Sequence, residues 1–537
     1  MFRSLNRHGL FALTCTGWML VASGTALAQQ QMPEATGAST TFRISGFELT
    51  GDIPLEPSET SRVLAPFISP NGTLETLQKA SAALETALKA KGYALHRVSL
   101  PAQELGGKVT LSLVRFVIGK VTVEGNSFFS DANVRASVPE LREGDTPNFK
   151  TMAVQTAIAN ESPSKQVQVT VKESDDADKI DAKILVKDVR PWTASASLAN
   201  TGSNATGNDR MTIAVGHANL FDKDQQVSLA YTTSLERADA VKQFGLNYRI
   251  PLYRQGGVVG LSYTNSDVVG NFGSFSSTGA GQTYGINYGL YLPPEGGTRR
   301  YLTLALDEKL FNASKVNGVV IPGQSDRGSR PLTAGYTARM ESDTSIWGYN
   351  VDFAANVPGS SGNNLSAYKT EDARIGTTAW TALHAGVNYL APLPGGWLWS
   401  ARAQLQYSGD ALISGEQFGL GGASSIRGTG ERPISGDSGA LVSVEISSHE
   451  LQPGLRLIGF VDAGWLNNNN SAASTASKQA VDQLASMGLG LRYNTRSFNV
   501  SGEWGHVVTG ATQPVGGNPS LPKVGDEKLH INLTARF

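Results

Sequence analysis

The sequence predicts a transmembrane 16-stranded antiparallel β-barrel preceded by two small α+β modules. Three observations predict it. First, the chain ends on Leu529, Ile531, Leu533, Ala535 and Phe537, apolar positions two apart with mostly polar residues between them. Lipid on one face of a strand and a wet lumen on the other demand that period. From Trp192 onward sixteen such segments begin near residues 192, 210, 225, 241, 257, 281, 298, 331, 344, 379, 395, 438, 454, 484, 497 and 527. Second, their connections alternate in length. Short ones such as 221–224, 253–256 and 494–496 are set against long ones at 266–280, 311–330, 356–378, 408–437, 466–482 and 507–526. Short turns on one side of a membrane and long loops on the other are barrel geometry, and a soluble sandwich has no reason to alternate this way. Third, two stretches of about 75 residues before Trp192 repeat one order of elements, a strand, helical segments and two strands.

The elements follow in order. Residues 1–28 read as a secretory leader: Arg3 and Arg7 open it, an apolar run spans Leu10 to Val21, and Ala26-Leu27-Ala28 supplies a small-x-small cleavage site. The run is too short for a retained membrane helix. Residues 29–41 form a linker. The only cysteine, Cys15, lies in the leader, so the mature chain has no disulfide and no thiolate metal site. Its stability must come from elsewhere, and inter-strand hydrogen bonds of a closed barrel can supply it. Charged residues make up 17% and the formal net charge is -1, which provides no basic field for nucleic acid. The seven histidines are scattered without metal-ligand spacing.

The first module covers 42–115. Phe42, Ile44, Phe47 and Leu49 predict one strand with a bulge at Gly46. Leu74, Leu77, Ala80, Ser81, Leu84, Ala87 and Leu88 recur at helical spacing until Gly92, and Tyr93–Val98 and Val109–Val114 follow as strands. The second module, 116–190, repeats this with a strand from Val117, helices over 130–138 and 149–159, and strands Val167–Val171 and Ile180–Val186. Pro191 marks the boundary to the barrel, 191–537. Tyr288, Tyr291, Trp397, Trp399 and Trp465 lie near strand ends, where aromatic girdles meet the membrane interface.

Two motifs in the barrel bear on function. The longest loop, between strands 11 and 12, holds a Gly-rich stretch from Gly419 to Glu431 that contains a single arginine, Arg427. Strand 13 contains Phe460-Val461-Asp462-Ala463-Gly464, whose alternation turns Phe460, Asp462 and Gly464 toward the lumen. A loop folded into the barrel brings Arg427 against Asp462. Guanidinium and carboxylate pair as a fork, more strongly where water is scarce. Taken singly, each reads more simply as a solvated residue. Gly436-Asp437-Ser438-Gly439 resembles a serine-nucleophile motif, but no histidine stands in a suitable flank, so no catalytic residue is predicted. Asn467 to Asn470 reads as a solvated external tip.

Together these features resemble the TpsB transporters of two-partner secretion, the haemolysin and haemagglutinin secretion/activation proteins. The repeats resemble POTRA domains, and Gly119–Asn126 followed by Phe128-Phe129-Ser130 is similar to that module's opening. The loop resembles the family's Val-Arg-Gly-Tyr/Phe signature and strand 13 its Phe-x-Asp-x-Gly signature. Asn200-Thr201-Gly202-Ser203 with Thr206-Gly207 is similar to its first hairpin. The resemblance spans roughly Phe42 to Phe537. It implies that Arg427 and Asp462 pair inside the barrel, with Gly428 and Gly464 at matching positions and Phe537 as the barrel's terminal signal. Ile426 replaces the family valine and Thr429 the family aromatic, so no role of that aromatic carries over. The short linker leaves little room for the family's N-terminal plug helix.

The location implied is the outer membrane of a Gram-negative bacterium, with the POTRA domains in the periplasm. The partners implied are an unfolded, secreted TpsA-like protein, outer-membrane lipid, and the barrel-assembly machinery during biogenesis. No enzyme activity, cofactor, metal or nucleic acid is implied. Within the superfamily the alternative is an assembly or insertion factor; outside it, a passive porin.

Overall fold

The computed structural model describes residues 41–537 except 177, 269, 273, 278, 314, 317–318, 321–324, 474–477 and 513–520. The expected leader, 1–28, lies outside the described residues.

The first module is built on β1 (Phe42–Ile44), β2 (Gly46–Gly51), α1 (Pro57–Leu64), β3 (Ser69–Gly72), α2 (Leu74–Ala90), β4 (His96–Ser99) and β5 (Lys108–Arg115). The single strand expected across Gly46 is two strands. β1 pairs with β3, whereas β2 pairs in parallel with β5. The slip in alternation at Gly46 is therefore a change of partner, not a bulge within one ladder. α2 starts where Thr73 Oγ1 accepts the Thr76 N–H at 3.2 Å and Thr76 Oγ1 accepts the Thr73 N–H at 3.1 Å. This reciprocal cap satisfies two donors that the first turn leaves open. Leu77, Ala80, Leu84 and Leu88, one stripe of that helix, are fully buried against Val109, Leu111 and Leu113 of β5.

The second module repeats the plan with β6 (Val117–Glu124), α3 (Asp131–Ser137), α4 (Phe149–Ala159), β7 (Lys165–Glu173) and β8 (Lys179–Asp188). Its sheet runs β6-β8-β7, with β6 parallel and β7 antiparallel to β8. Asp188 accepts N–H bonds from Ser127, Phe128 and Phe129 at 2.8–3.1 Å, which seats the Phe-Phe-Ser turn and buries Phe129. Ser130 then caps α3 through the Asn133 N–H.

The barrel closes on itself: its last strand, Glu527–Arg536, pairs antiparallel with its first, Trp192–Ala199. The sixteen wall strands begin within four residues of the periodic segments. The eighth is interrupted at Arg330: Arg327–Ser329 and Pro331–Glu341 both pair with the seventh, Thr298–Phe311. The last strand turns its large aliphatic side chains outward, as the period-2 reading expects. Leu529, Ile531 and Leu533 are 40–46% exposed on the outer surface, whereas His530 between them is 5% exposed.

Two local expectations are corrected. Tyr291 does not join a girdle, because its hydroxyl donates to Glu161 of the second module at 2.5 Å. Asn467–Asn470 is not a freely solvated tip. Asn468 is buried, and the Asn469 amide donates to the Ser408 and Asp410 carbonyls at 3.0 and 2.9 Å. The external loops pack on one another, and amides are the side chains that can satisfy carbonyls buried between them.

Candidate functional site

The long eleventh-to-twelfth-strand connection turns inward as a short hairpin, Phe418–Leu420 against Ile434–Gly436. Its apolar residues decide where it goes. Leu420, Ile426 and Ile434 pack on lumen-facing Leu441, Leu466, Leu484 and Val507. Gly464 leaves room for this contact, since a Cβ there would come within 2.4 Å of Leu420 Cδ2. At the tip, Gly428 has φ +90° and lies against Gly505, whose carbonyl carbon and oxygen a Cβ on Gly428 would meet at 2.7 Å. Both the left-handed backbone and the close approach demand glycine.

Seating the tip this way presents Arg427 to the wall. Its Nε and Nη2 donate to the two carboxylate oxygens of Asp462, each at 2.8 Å, and its backbone N–H adds a third bond at 3.1 Å. Nη1 reaches Glu445 and Glu503, both at 2.9 Å. The guanidinium also stacks on Phe460, with Cζ 3.5 Å from the ring centroid, a cation–π contact. Ser443 Oγ donates to Asp462 at 2.7 Å. Arg492 bridges the same two glutamates at 2.6–2.8 Å. The side chains of Arg427 and Asp462 are 6% and 0% exposed, so water screens the pair little. Two guanidiniums face three carboxylates, and Arg402, which donates to the Ser424 carbonyl of the loop, balances the count. Thr429, at the family's aromatic position, closes the tip on itself. Its hydroxyl accepts the Gly422 N–H at 3.0 Å and donates to the Ile426 carbonyl at 2.8 Å.

Arg427, Gly428, Asp462 and Gly464 are thus brought together. Phe537 is not part of this cluster. It lies at the opposite end of the last strand, exposed, with its N–H on the Ala194 carbonyl at 3.0 Å. Sequence reasoning missed Glu445, Glu503 and Arg492. A signal was present: each is a charged residue at an inward position of a wall strand near that of Asp462, and charge in a barrel wall belongs on the lumen side. The Gly436–Gly439 tetrapeptide is a structural junction. Asp437 is fully buried and holds Arg374 at 2.6 Å, while Ser438 Oγ bonds the Ser408 backbone.

A second polar cluster joins the second module to the barrel, and sequence analysis did not find it. Lys165, the first residue of β7, inserts its ammonium between Asp224 (2.6 and 2.8 Å) and Asn133 Oδ1 (2.8 Å). Tyr253 Oη also donates to Asp224 at 2.6 Å. Lys165 and Asp224 side chains are 0% and 3% exposed. Burial pushes the ammonium below the ordinary lysine range, and Asp224 opposes that shift. The receiving turn is strained, with Phe221, Asp222 and Asp224 all at φ of 53–57°, a region costly for such residues. Beside it, Arg249 pairs with Glu161 at 2.5 Å, and Val154 and Ile158 of α4 pack on Val258 of the wall.

The model of the haemolysin secretion/activation protein family ShlB/FhaC/HecB matches residues 178–493, and that of the ShlB-type POTRA domain matches 42–115. The outer membrane transporter CdiB of Dickeya dadantii is 24% identical over 401 residues, covering 72% of this chain and 69% of the relative. An Escherichia coli outer membrane transporter CdiB is 21% identical over 443 residues, 80% of this chain and 73% of the relative. The solved CdiB structure from Escherichia coli superposes with a TM-score of 0.72 at 19% identity, over 94% of this chain and 92% of that one. With more than half of its length matched by the family model, the chain belongs to the ShlB/FhaC/HecB haemolysin secretion/activation family, the outer-membrane transporters of two-partner secretion with periplasmic POTRA domains.

Proposed function

We propose that this transporter captures an unfolded, secreted TpsA-like protein with its POTRA domains, 42–115 and 116–190, and passes it through the barrel, 191–537. In this reading Arg427 holds the loop in a defined position inside the lumen, and transport requires that position. The observation that carries it is the five-bond engagement of Arg427 by Asp462, Glu445 and Glu503, made at the tip of a loop that fills part of the lumen. A passive porin has no use for such a plugged lumen or for docked POTRA modules. The sheet edges β4 and β7 offer sites where an extended peptide can add a strand. Beside β4 a groove of about 300 Å³ is lined by Gln78, Ser81, Glu85, Val98 and Leu100.

Outer-membrane lipid covers the exposed apolar wall, and the barrel-assembly machinery inserts it, with Phe537 acting in that step. Transport requires no cofactor, metal, nucleic acid or enzymatic step. The test is deletion of 42–190, with the secreted partner identified from the neighbouring gene. The barrel is expected in the outer membrane at normal level with secretion abolished; normal secretion by the truncated chain refutes the receptor role.

A further inference from the structure

The loop tip touches more than the Arg427 network. The Gly428 N–H donates to His530 Nε2 at 3.0 Å. His530 sits on the last wall strand, is 5% exposed, and is paired across the ladder with Glu503, itself a partner of Arg427. One imidazole therefore ties the loop backbone to the strand that closes the barrel.

That strand makes the shortest ladder of the wall. Its pairing with the first strand covers Asn532–Arg536 against Ala199–Ser195, five residues a side. Immediately above, a side chain substitutes for the next backbone rung. Asn200 Nδ2 donates to the Leu529 carbonyl at 2.6 Å, its Oδ1 accepts the Ile531 N–H at 2.8 Å, and its own N–H reaches the Ile531 carbonyl at 3.2 Å. Asn200 thus grips the residues on both sides of His530. A short ladder edge exposed to lipid needs every backbone group satisfied, and here one amide does this at the residue pair that flanks the loop's anchor.

We propose that His530 and Asn200 are positioning residues that couple the seated loop tip to the seam between the first and last strands, so that releasing either loosens the other. The inference rests on the loop being seated by the wall, as in the reading above, but not on what is transported. Coupling between two places in a fold can be carried by a chain of hydrogen-bonded and packed groups. The chain here is Gly428–His530–Leu529/Ile531–Asn200, with Arg427–Glu503 running beside it.

The test is hydrogen–deuterium exchange of the full chain in detergent micelles, with heat-modifiable migration confirming a folded barrel. The hydrogen bonds of Asn200 go to the last strand and not to the loop. Asn200→Ala is nevertheless expected to raise exchange about tenfold both in the seam, 195–201 and 529–536, and in the loop tip, 424–431, the scale of one lost hydrogen bond. His530→Ala should do the same from the other end. His530→Gln, whose amide oxygen can accept the Gly428 N–H, should restore loop protection. Faster exchange confined to the seam in Asn200→Ala, or to the last strand in His530→Ala, overturns the coupling. If Asn200→Ala fails to fold, Asn200→Ser and His530→Ala carry the same two outcomes. Arg427→Ala distinguishes the premises: unchanged loop exchange there refutes the seated loop, whereas a faster loop with an unchanged seam refutes only the coupling.

Discussion

Replacing Asp224 with alanine should undock the second POTRA domain from the barrel. Lys165 loses both carboxylate bonds, at 2.6 and 2.8 Å, and keeps Asn133 as hydrogen-bond acceptor and the Phe129 ring, 5.1 Å away, in a site with no exposure. Removing one partner of a buried pair costs about 3–5 kcal/mol. At about 1.4 kcal/mol per decade that lowers the docked population roughly 10²- to 10³·⁵-fold relative to the undocked one. The bonds of Glu161 to Arg249 and Tyr291, those of Ser130 and Asn133 to the 219–222 turn, and the apolar contact of Val154, Ile158 and Val258 oppose this and leave a docked minority. The only cysteine is Cys15, so spin labels at Lys187→Cys and Glu295→Cys report the geometry by pulsed electron paramagnetic resonance. A narrow distance distribution should broaden in Asp224→Ala. The double variant Lys165→Met with Asp224→Asn should narrow it again, because no buried charge is left, asparagine tolerates the left-handed backbone, and its amide oxygen still accepts from Tyr253.

Alkali should also help the single variant. Burial already depresses the ammonium, and losing Asp224 removes the main opposing effect. The docked form then binds fewer protons than the undocked one between the depressed value and about 10.4, so docking strengthens as pH rises through that window. A distribution in Asp224→Ala at pH 7 that superposes on the wild type refutes the reasoning.

Other outcomes are equally specific. His96 of the first POTRA domain is 3% exposed and burial holds its imidazole below the ordinary range, against the pull of Asp52. Its contribution to stability is present above about pH 6.5 and lost as pH falls, so protection factors in α2, exchange rates corrected for the intrinsic pH dependence of amide exchange, should fall from pH 7 to 5.5, and His96→Leu should flatten that dependence. Leu84→Ala, at a fully buried site, should destabilise the same domain by about 2–5 kcal/mol in the urea dependence of its exchange. Gly428→Ala should unseat the loop tip without unfolding the wall, since the added Cβ meets Gly505 backbone at 2.7 Å; unchanged exchange over 424–431 refutes this. Removing Phe537 should lower the amount of inserted barrel more than transport per inserted molecule, as read by heat-modifiable bands against secreted partner.

The architecture was largely legible because each of its signals is local. Alternation such as Leu529–Phe537 follows from one strand facing lipid, and loop lengths follow from membrane sidedness. The stripe Leu77–Ala80–Leu84–Leu88 follows from 3.6 residues per turn. The division at Gly46 was not legible, because alternation reports a strand's faces and not its partner. The acids around Arg427 escaped for a related reason. Glu445, Glu503 and Asp462 lie on different strands, and only the closed register brings them within 3 Å of one guanidinium. Lys165 and Asp224 are 59 residues apart on separate domains, and nothing near either position marks it as buried. Asn200 stood out as part of a motif, but its role depends on where the last strand ends its ladder.

The most direct measurement is secretion of the partner by Arg427→Ala, normalised to folded barrel in the outer membrane. Arg427 leaves three carboxylates behind, whereas Asp462→Ala leaves it two glutamates. Secretion at least about tenfold below wild type is expected in Arg427→Ala at unchanged barrel level, with a milder defect in Asp462→Ala and a double variant little worse than Arg427→Ala, because the residues act as one unit. Wild-type secretion by Arg427→Ala, or strictly additive defects in the double variant, contradicts this expectation.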